Sequence, residues 1–126
     1  MAPKSLVKNL KFCPFAGCGG LSIGLEMSGV AKAKWAIEND DAAFASEAYK
    51  LNHPDCDVIQ DDINNVLKEA FEAKNDRIPK KGEVELLCGG PPCQGFSHMN
   101  VFKETDESKF KQSLISSFLS LCDYYR

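Results

Sequence analysis

Cys93 follows Gly89-Gly90-Pro91-Pro92 and precedes Gln94-Gly95-Phe96-Ser97. Two prolines with fixed φ and no N–H hold the backbone out of regular structure just before the thiol. The residues after it make a polar, accessible setting. A free thiol has a pKa of about 8.5, so a nucleophilic cysteine needs a partner that activates it or stabilises its adduct. Spacing alone supplies no such partner here. The plainer reading, a small buried apolar residue, is the commoner fate of a lone cysteine.

Three further groups have chemistry to offer. Gly17-Cys18-Gly19-Gly20 would let a ligand approach the backbone at a helix N-terminus. Counted from Gly17, the sixth position of G-x-G-x-x-G is Ser22, and counted from Gly19 the third is Leu21, so the dinucleotide fingerprint is not met. Glu38 stands about twenty residues on, where a carboxylate accepts from ribose hydroxyls; the alternative is a plain exposed glutamate. Asp62 is placed to accept from an adenine amino group or to cap the helix that follows it, and the two roles are compatible. Acids after two neighbouring strands, with glycines after the first, make an adenosine site the economical joint explanation.

The elements that position these groups follow from the apolar pattern. Residues 11–16 read as a first strand running into the glycine turn, with Pro14 tolerable near its end. Leu21, Leu25 and Ser28 share a face of a short helix stopped by Gly29. Residues 34–38 are a second strand. Asp40 or Asp41 can cap a second helix with Phe44, Ala48 and Leu51 on one stripe, closed by Asn52-His53-Pro54. Residues 57–60 are a third strand, and Ile63, Val66, Leu67, Ala70 and Phe71 repeat at helical spacing behind it. A lysine-rich solvated loop (73–82) leads to a fourth strand over 83–88, which ends at the glycines and prolines before Cys93. Residues 94–107 read as a mobile loop, and 108–125 as a long helix with Phe110, Leu114, Phe118 and Leu121 on one face. Four alternations of strand and helix predict an α/β fold on a parallel sheet.

Composition excludes several classes. The 126 residues, 44% hydrophobic and 26% charged, suit one small domain. No apolar run reaches the ~18 residues of a membrane span, and residues 1–10 form a basic leader without the apolar block of a signal peptide. An intracellular, reducing compartment is the expectation, so Cys13, Cys18, Cys56, Cys88, Cys93 and Cys122 are read as thiols rather than disulfides. The Cys13/Cys18 and Cys88/Cys93 pairs are spaced too widely for a usual zinc site, and no metal is expected. A net charge of −3 argues against the chain gripping nucleic acid by itself.

Taken together, Phe15-Ala16-Gly17-Cys18-Gly19-Gly20-Leu21, Glu38 after Trp35-Ala36-Ile37, Asp62, and Gly89-Gly90-Pro91-Pro92-Cys93-Gln94-Gly95-Phe96-Ser97 resemble the first four motifs of the C5 cytosine DNA methyltransferases. The last motif is the most specific. Leu87-Cys88 and the closing 118–126 resemble the eukaryotic maintenance type. The resemblance covers residues 11–126, read as a partial S-adenosylmethionine-dependent catalytic domain with a Rossmann-like sheet in order 3-2-1-4. It implies S-adenosylmethionine across the strand ends: residues 15–21 near its methionine part, Glu38 on the ribose and Asp62 with Ile63 by the adenine, with Asn39 and Pro91 also in the cofactor site. Cys93 becomes the nucleophile that adds to C6 of a flipped-out cytosine, with Gln94, Gly95, Phe96 and Ser97 forming the substrate loop. DNA as the parent enzyme's substrate and a nuclear location follow from the same resemblance.

Departures set further expectations. Cys13 stands where the family usually has an acid, and Asn39-Asp40 where a bulky apolar residue often stacks on adenine. No Glu-Asn-Val segment follows, nor a recognition region. A fragment is therefore expected, inactive or nearly so alone, with an open fourth-strand edge suited to self-association. The alternatives are a non-catalytic S-adenosylmethionine-binding or docking module, and a fragment from the transfer-RNA branch with the same Pro-Pro-Cys loop.

Overall fold

The computed structural model describes residues 9–39, 44–73, 76–92 and 106–126. Strand and helix alternate throughout: β1 (Asn9–Pro14), α1 (Gly20–Met27), β2 (Ala31–Ile37), α2 (Phe44–Asn52), β3 (Asp57–Ile59), α3 (Ile63–Glu72), β4 (Leu86–Leu87) and α4 (Asp106–Tyr125). All strand pairs are parallel, in the expected order β3-β2-β1-β4. β1 and β2 start earlier than their apolar runs suggest, because Asn9 and Leu10 pair with Ala31 and Lys32 whatever their side chains. β4 is shorter than expected. Its pairing is nonetheless bracketed by Glu85 N–H to Leu10 O at 3.0 Å and Cys88 N–H to Phe12 O at 3.1 Å.

The strands' period of two gives the sheet unlike faces. On one, Phe12, Trp35, Ile37 and Ile59 pack against Ile63, Val66 and Ala70 of α3 and Leu114, Leu121 and Tyr125 of α4. The Tyr125 ring meets Phe12 edge-on at 5.5 Å, and its hydroxyl donates to Pro79 O at 2.6 Å. The other face is made of small groups: Cys13, Ala33 and Ala36, covered by Tyr49. A register shift between Lys11 and Phe12 lets Ala33 and Ala36, three residues apart, join that cluster. Lys11 is fully buried there.

That shallow, polar-anchored face overturns two expected helix stripes. In α1 the buried residue is Ser22, while Leu21 is 52% exposed. A buried ammonium must have an acceptor, and Ser22 Oγ supplies it to Lys11 Nζ at 2.6 Å. In α2 the expected stripe faces outward, with Phe44 77% and Leu51 83% exposed, and the packed side is Ser46 and Tyr49. Tyr49 wins because its ring covers the alanines while its hydroxyl reaches Ser22 Oγ at 2.7 Å. α3 follows its sequence pattern through Ile63, Val66, Leu67 and Ala70. Phe71 departs from it, lying exposed with its ring edge-on to Tyr124 at 5.1 Å.

The loop after α3 is less solvated than its lysines imply. Ile78 is buried, and Arg77 bridges Asp61 and Glu69, both at 2.6 Å. α4 starts at Asp106, inside the expected loop, and carries Leu114 and Leu121 inward as expected; Phe118 is partly buried. The Asp40/Asp41 cap and residues 94–105 of the expected loop lie outside the described residues. No described helix is long and apolar enough to cross a membrane.

Gly89 passes so close to β1 that a Cβ there would lie 2.2 Å from the Pro14 carbonyl oxygen, whereas one on Gly90 would meet nothing within 4 Å. Backbone cannot yield as a side-chain tip can. Gly89→Ala is therefore expected to destabilise the fold by about 2 kcal/mol or more, and Gly90→Ala to leave the urea midpoint nearly unchanged. Equal midpoints for the two variants would contradict the close crossing.

Candidate functional site

The site is built where the chain leaves β1. Phe15 turns into the left-handed region with φ +56°, followed by Gly17 at +56° and Gly19 at +99°. For a residue with a Cβ this conformation costs about 1–2 kcal/mol, and such strain is held where surrounding contacts over-determine it. Those contacts are visible. Ala16 N–H donates to Ile37 O at 3.0 Å, Gly17 N–H to Glu38 Oε2 at 2.6 Å, and Glu38 N–H to Ile59 O at 3.1 Å. The ends of β1, β2 and β3 are thereby tied in series. Gly19 is required twice over: its φ disfavours any side chain, and a Cβ would sit 2.8 Å from His53 Nε2.

Asp62 caps α3, accepting from Asn64 N–H through Oδ1 at 2.7 Å, while Oδ2 faces Asn39 Nδ2 at 3.5 Å. Its neighbour Asp61 fixes it in place. Asp61 Oδ1 accepts from Asp62 N–H and from Asn65 Nδ2, both at 2.8 Å, and Oδ2 accepts from Arg77 Nη2 at 2.6 Å. The Arg77 hydrogen bond, then that of Asn65, holds the Asp61 carboxyl below the usual carboxylate range.

These groups converge on a cavity of about 430 Å³ lined by Phe15, Gly17, Glu38, Asn39, Asp62, Ile63, Gly90, Pro92, Phe110 and Leu114. Its volume is that of an ordinary small-molecule site, and its position at the strands' carboxyl ends is where open α/β sheets bind ligands. The walls suit an adenosyl group. Phe15, Ile63, Phe110 and Leu114 give apolar surface for a flat base, and Asp62 and Glu38 give acceptors for an amino group and for hydroxyls. Glu38 Oε2 is taken by Gly17, so Oε1 is the oxygen left to face a ligand.

Of the residues anticipated from sequence, Phe15, Gly17, Glu38, Asn39, Asp62 and Ile63 line this cavity together. Ala16, Cys18, Gly19, Gly20 and Leu21 form the adjoining turn, and Gly90 and Pro92, rather than Pro91, border the cavity. Cys93, Gln94, Gly95, Phe96 and Ser97 lie outside the described residues. Cys13, at the place of the family's acid, is buried on the α2 side, and burial pushes its thiol pKa up. Phe110 and Leu114 were visible in the sequence only as a helix face. That the face walls a cavity depends on how α4 crosses the sheet.

A Rossmann-like half-sheet with glycine turn and acids at consecutive strand ends is the core of a methyltransferase fold. The chain belongs to the C-5 cytosine-specific DNA methylase family, whose model matches residues 14–123. It is 52% identical over 117 residues to DNA (cytosine-5)-methyltransferase PliMCI of Paracentrotus lividus and 51% identical over 117 residues to DNA (cytosine-5)-methyltransferase 1 of Mus musculus. Each match covers 89% of this chain and 7% of the relative. DNA (cytosine-5)-methyltransferase 2 of Arabidopsis thaliana is 38% identical, covering 100% of this chain and 10% of the relative.

The Asp61–Arg77 pair predicts an acid-side stability loss. A carboxyl whose folded pKa is depressed stabilises the fold above its unfolded pKa, about 3.9, and loses that contribution as pH falls through the folded value. Urea midpoints measured at pH 5, 4 and 3 should fall less steeply for Arg77→Met than for the unmodified chain. The same slope in both proteins would show that Asp61 is not held by Arg77.

Proposed function

We propose that this chain supplies the cofactor half, and the nucleophile, of a DNA (cytosine-5)-methyltransferase, with S-adenosylmethionine as methyl donor. The observation that carries the reading is the single cavity shared by Phe15, Gly17, Glu38, Asp62 and Ile63 at the carboxyl ends of β1, β2 and β3. Glu38 Oε1 would take a ribose hydroxyl, Asp62 Oδ2 the adenine amino group, and Phe15 and Ile63 the faces of the base. When bound there, S-adenosylmethionine supplies an electrophilic methyl group. Nothing else in the reading is asked of it.

The chain's own part is to make the target reactive. Cys93 follows the cavity-lining Pro92 in the chain, and this adjacency supports its role as the nucleophile. Its thiolate would add to C6 of a cytosine taken out of the duplex, forming an S–C6 bond. This would break the ring's conjugation and leave C5 electron-rich enough to take the methyl group, whose bond to the donor's sulfur breaks to leave S-adenosylhomocysteine; loss of the C5 proton and of the thiolate would then restore the ring. Gln94, Gly95, Phe96 and Ser97 would contact the substrate. The family membership supports DNA as that substrate, and with it a nuclear location in a eukaryotic cell. Among the described residues β4 pairs only with β1, which supports self-association through its outer edge.

Calorimetric titration of the chain with S-adenosylhomocysteine tests the reading, with saturable binding at one site per chain expected. Asp62→Asn preserves the helix cap, since asparagine and aspartate cap equally well, but replaces one acceptor oxygen by a donor. It should weaken binding by about tenfold, the worth of a hydrogen bond to a charged group, without lowering stability. Absence of saturable binding, or equal affinity in the variant, would refute the assignment.

A further inference from the structure

Tyr49 and Asn52 of α2 and His53 just past its end, at i, i+3 and i+4, lie on one helical face, with His53 N–H donating to Tyr49 O at 2.8 Å. Each reaches the glycine turn or the helix it opens. Asn52 Nδ2 donates to Cys18 O at 3.0 Å, and Tyr49 OH meets Ser22 Oγ at 2.7 Å. The buried His53 ring sets Nε2 3.5 Å from Gly19 O and Nδ1 3.1 Å from Glu26 Oε2. Glu26 in turn accepts from Ala33 N–H through Oε1 at 2.9 Å. The Tyr49 and His53 rings also occupy the space a Cβ on Gly19 would need.

We infer that the last turn of α2 is a positioning clamp for the glycine turn, with Asn52 as its separable member. α1 has no side-chain N-cap, and its capping residue Gly19 is held in a left-handed conformation. A turn with three positive φ values at Phe15, Gly17 and Gly19 needs support from outside. Glu38 supplies it from the β2 side through Gly17 N–H. Asn52 supplies it from the opposite side through the Cys18 carbonyl, and the Tyr49 and His53 rings through their packing against Gly19. Asn52, Tyr49 and His53 do not line the cavity; they act on a ligand through the shape of the turn. In its effect on cofactor affinity the inference rests on the adenosyl reading above, but the clamp itself is measurable without a ligand.

Asn52 is exposed, so its replacement separates positioning from stability. Asn52→Asp keeps the size of the side chain and turns the donor facing Cys18 O into an acceptor. Native-state hydrogen exchange on the whole chain should show the Gly17 and Gly19 amides exchanging about five- to tenfold faster, as for loss of one hydrogen bond. The β1 and β2 amides and the thermal midpoint should stay unchanged. S-adenosylhomocysteine affinity should fall by a similar factor, and Asn52→Gln, which retains a donor, should recover part of both effects. Unchanged exchange at Gly17 and Gly19, or acceleration spread equally through the sheet, would overturn the clamp. If the unmodified chain binds no S-adenosylhomocysteine, the adenosyl reading fails, while the exchange data still decide the clamp.

Discussion

The bond from Gly17 N–H to Glu38 Oε2, at 2.6 Å, is the interaction on which the site depends. It is a charge-assisted hydrogen bond from a strained turn to the end of the neighbouring strand, the stronger kind of protein hydrogen bond. Without it, among the described residues, the Ala16 N–H to Ile37 O bond alone would hold the chain leaving β1 against β2. With it, the positive φ of Phe15 becomes useful. The ring is turned into the cavity and towards Phe118, whose centroid is 6.2 Å away. Gly89 completes the arrangement by letting the loop after β4 cross directly over Pro14, which brings Gly90 and Pro92 to the same cavity.

The two faces of the sheet have different duties. The aromatic and branched face, under α3 and α4, supplies the apolar burial that stabilises so small a sheet, and α4 also walls the cavity with Phe110 and Leu114. The other face contributes little apolar area. Its Lys11–Ser22–Tyr49 chain is a satisfied polar network, and removing one member would leave a buried charge or hydroxyl without a partner. Such a network specifies one docking of α1 and α2. That docking carries Asn52 and His53 to the glycine turn.

Much of this was legible in the sequence because the strand–turn–helix units are local. The glycine turn, the acids ending β2 and β3 and the cap at Asp62 follow from residues close in the chain, the parallel sheet from the alternation of strand and helix, and the order β3-β2-β1-β4 from the resemblance to the family. What could not be read depends on partners far away. Phe44 and Leu51 look like a buried stripe until the face beneath α2 is known to be three small groups and a buried lysine. Ile78 and Arg77 look solvated until Asp61 and Glu69 are seen to converge on the guanidinium. The ring of Phe71 is left outside because Tyr124, with its hydroxyl donating to Ala70 O at 2.8 Å, takes the inner place.

The proposed ligand site lies at the strand ends, and not in the groove along β4 lined by Val84, Leu87 and Tyr125. An amide chemical-shift map of the isotope-labelled chain titrated with S-adenosylhomocysteine tests it most directly. The largest shifts are expected at residues 15–21, 38–39, 62–63 and 110–114, saturating together. Shifts concentrated at residues 84–87 and 122–126, or none that saturate, would contradict it.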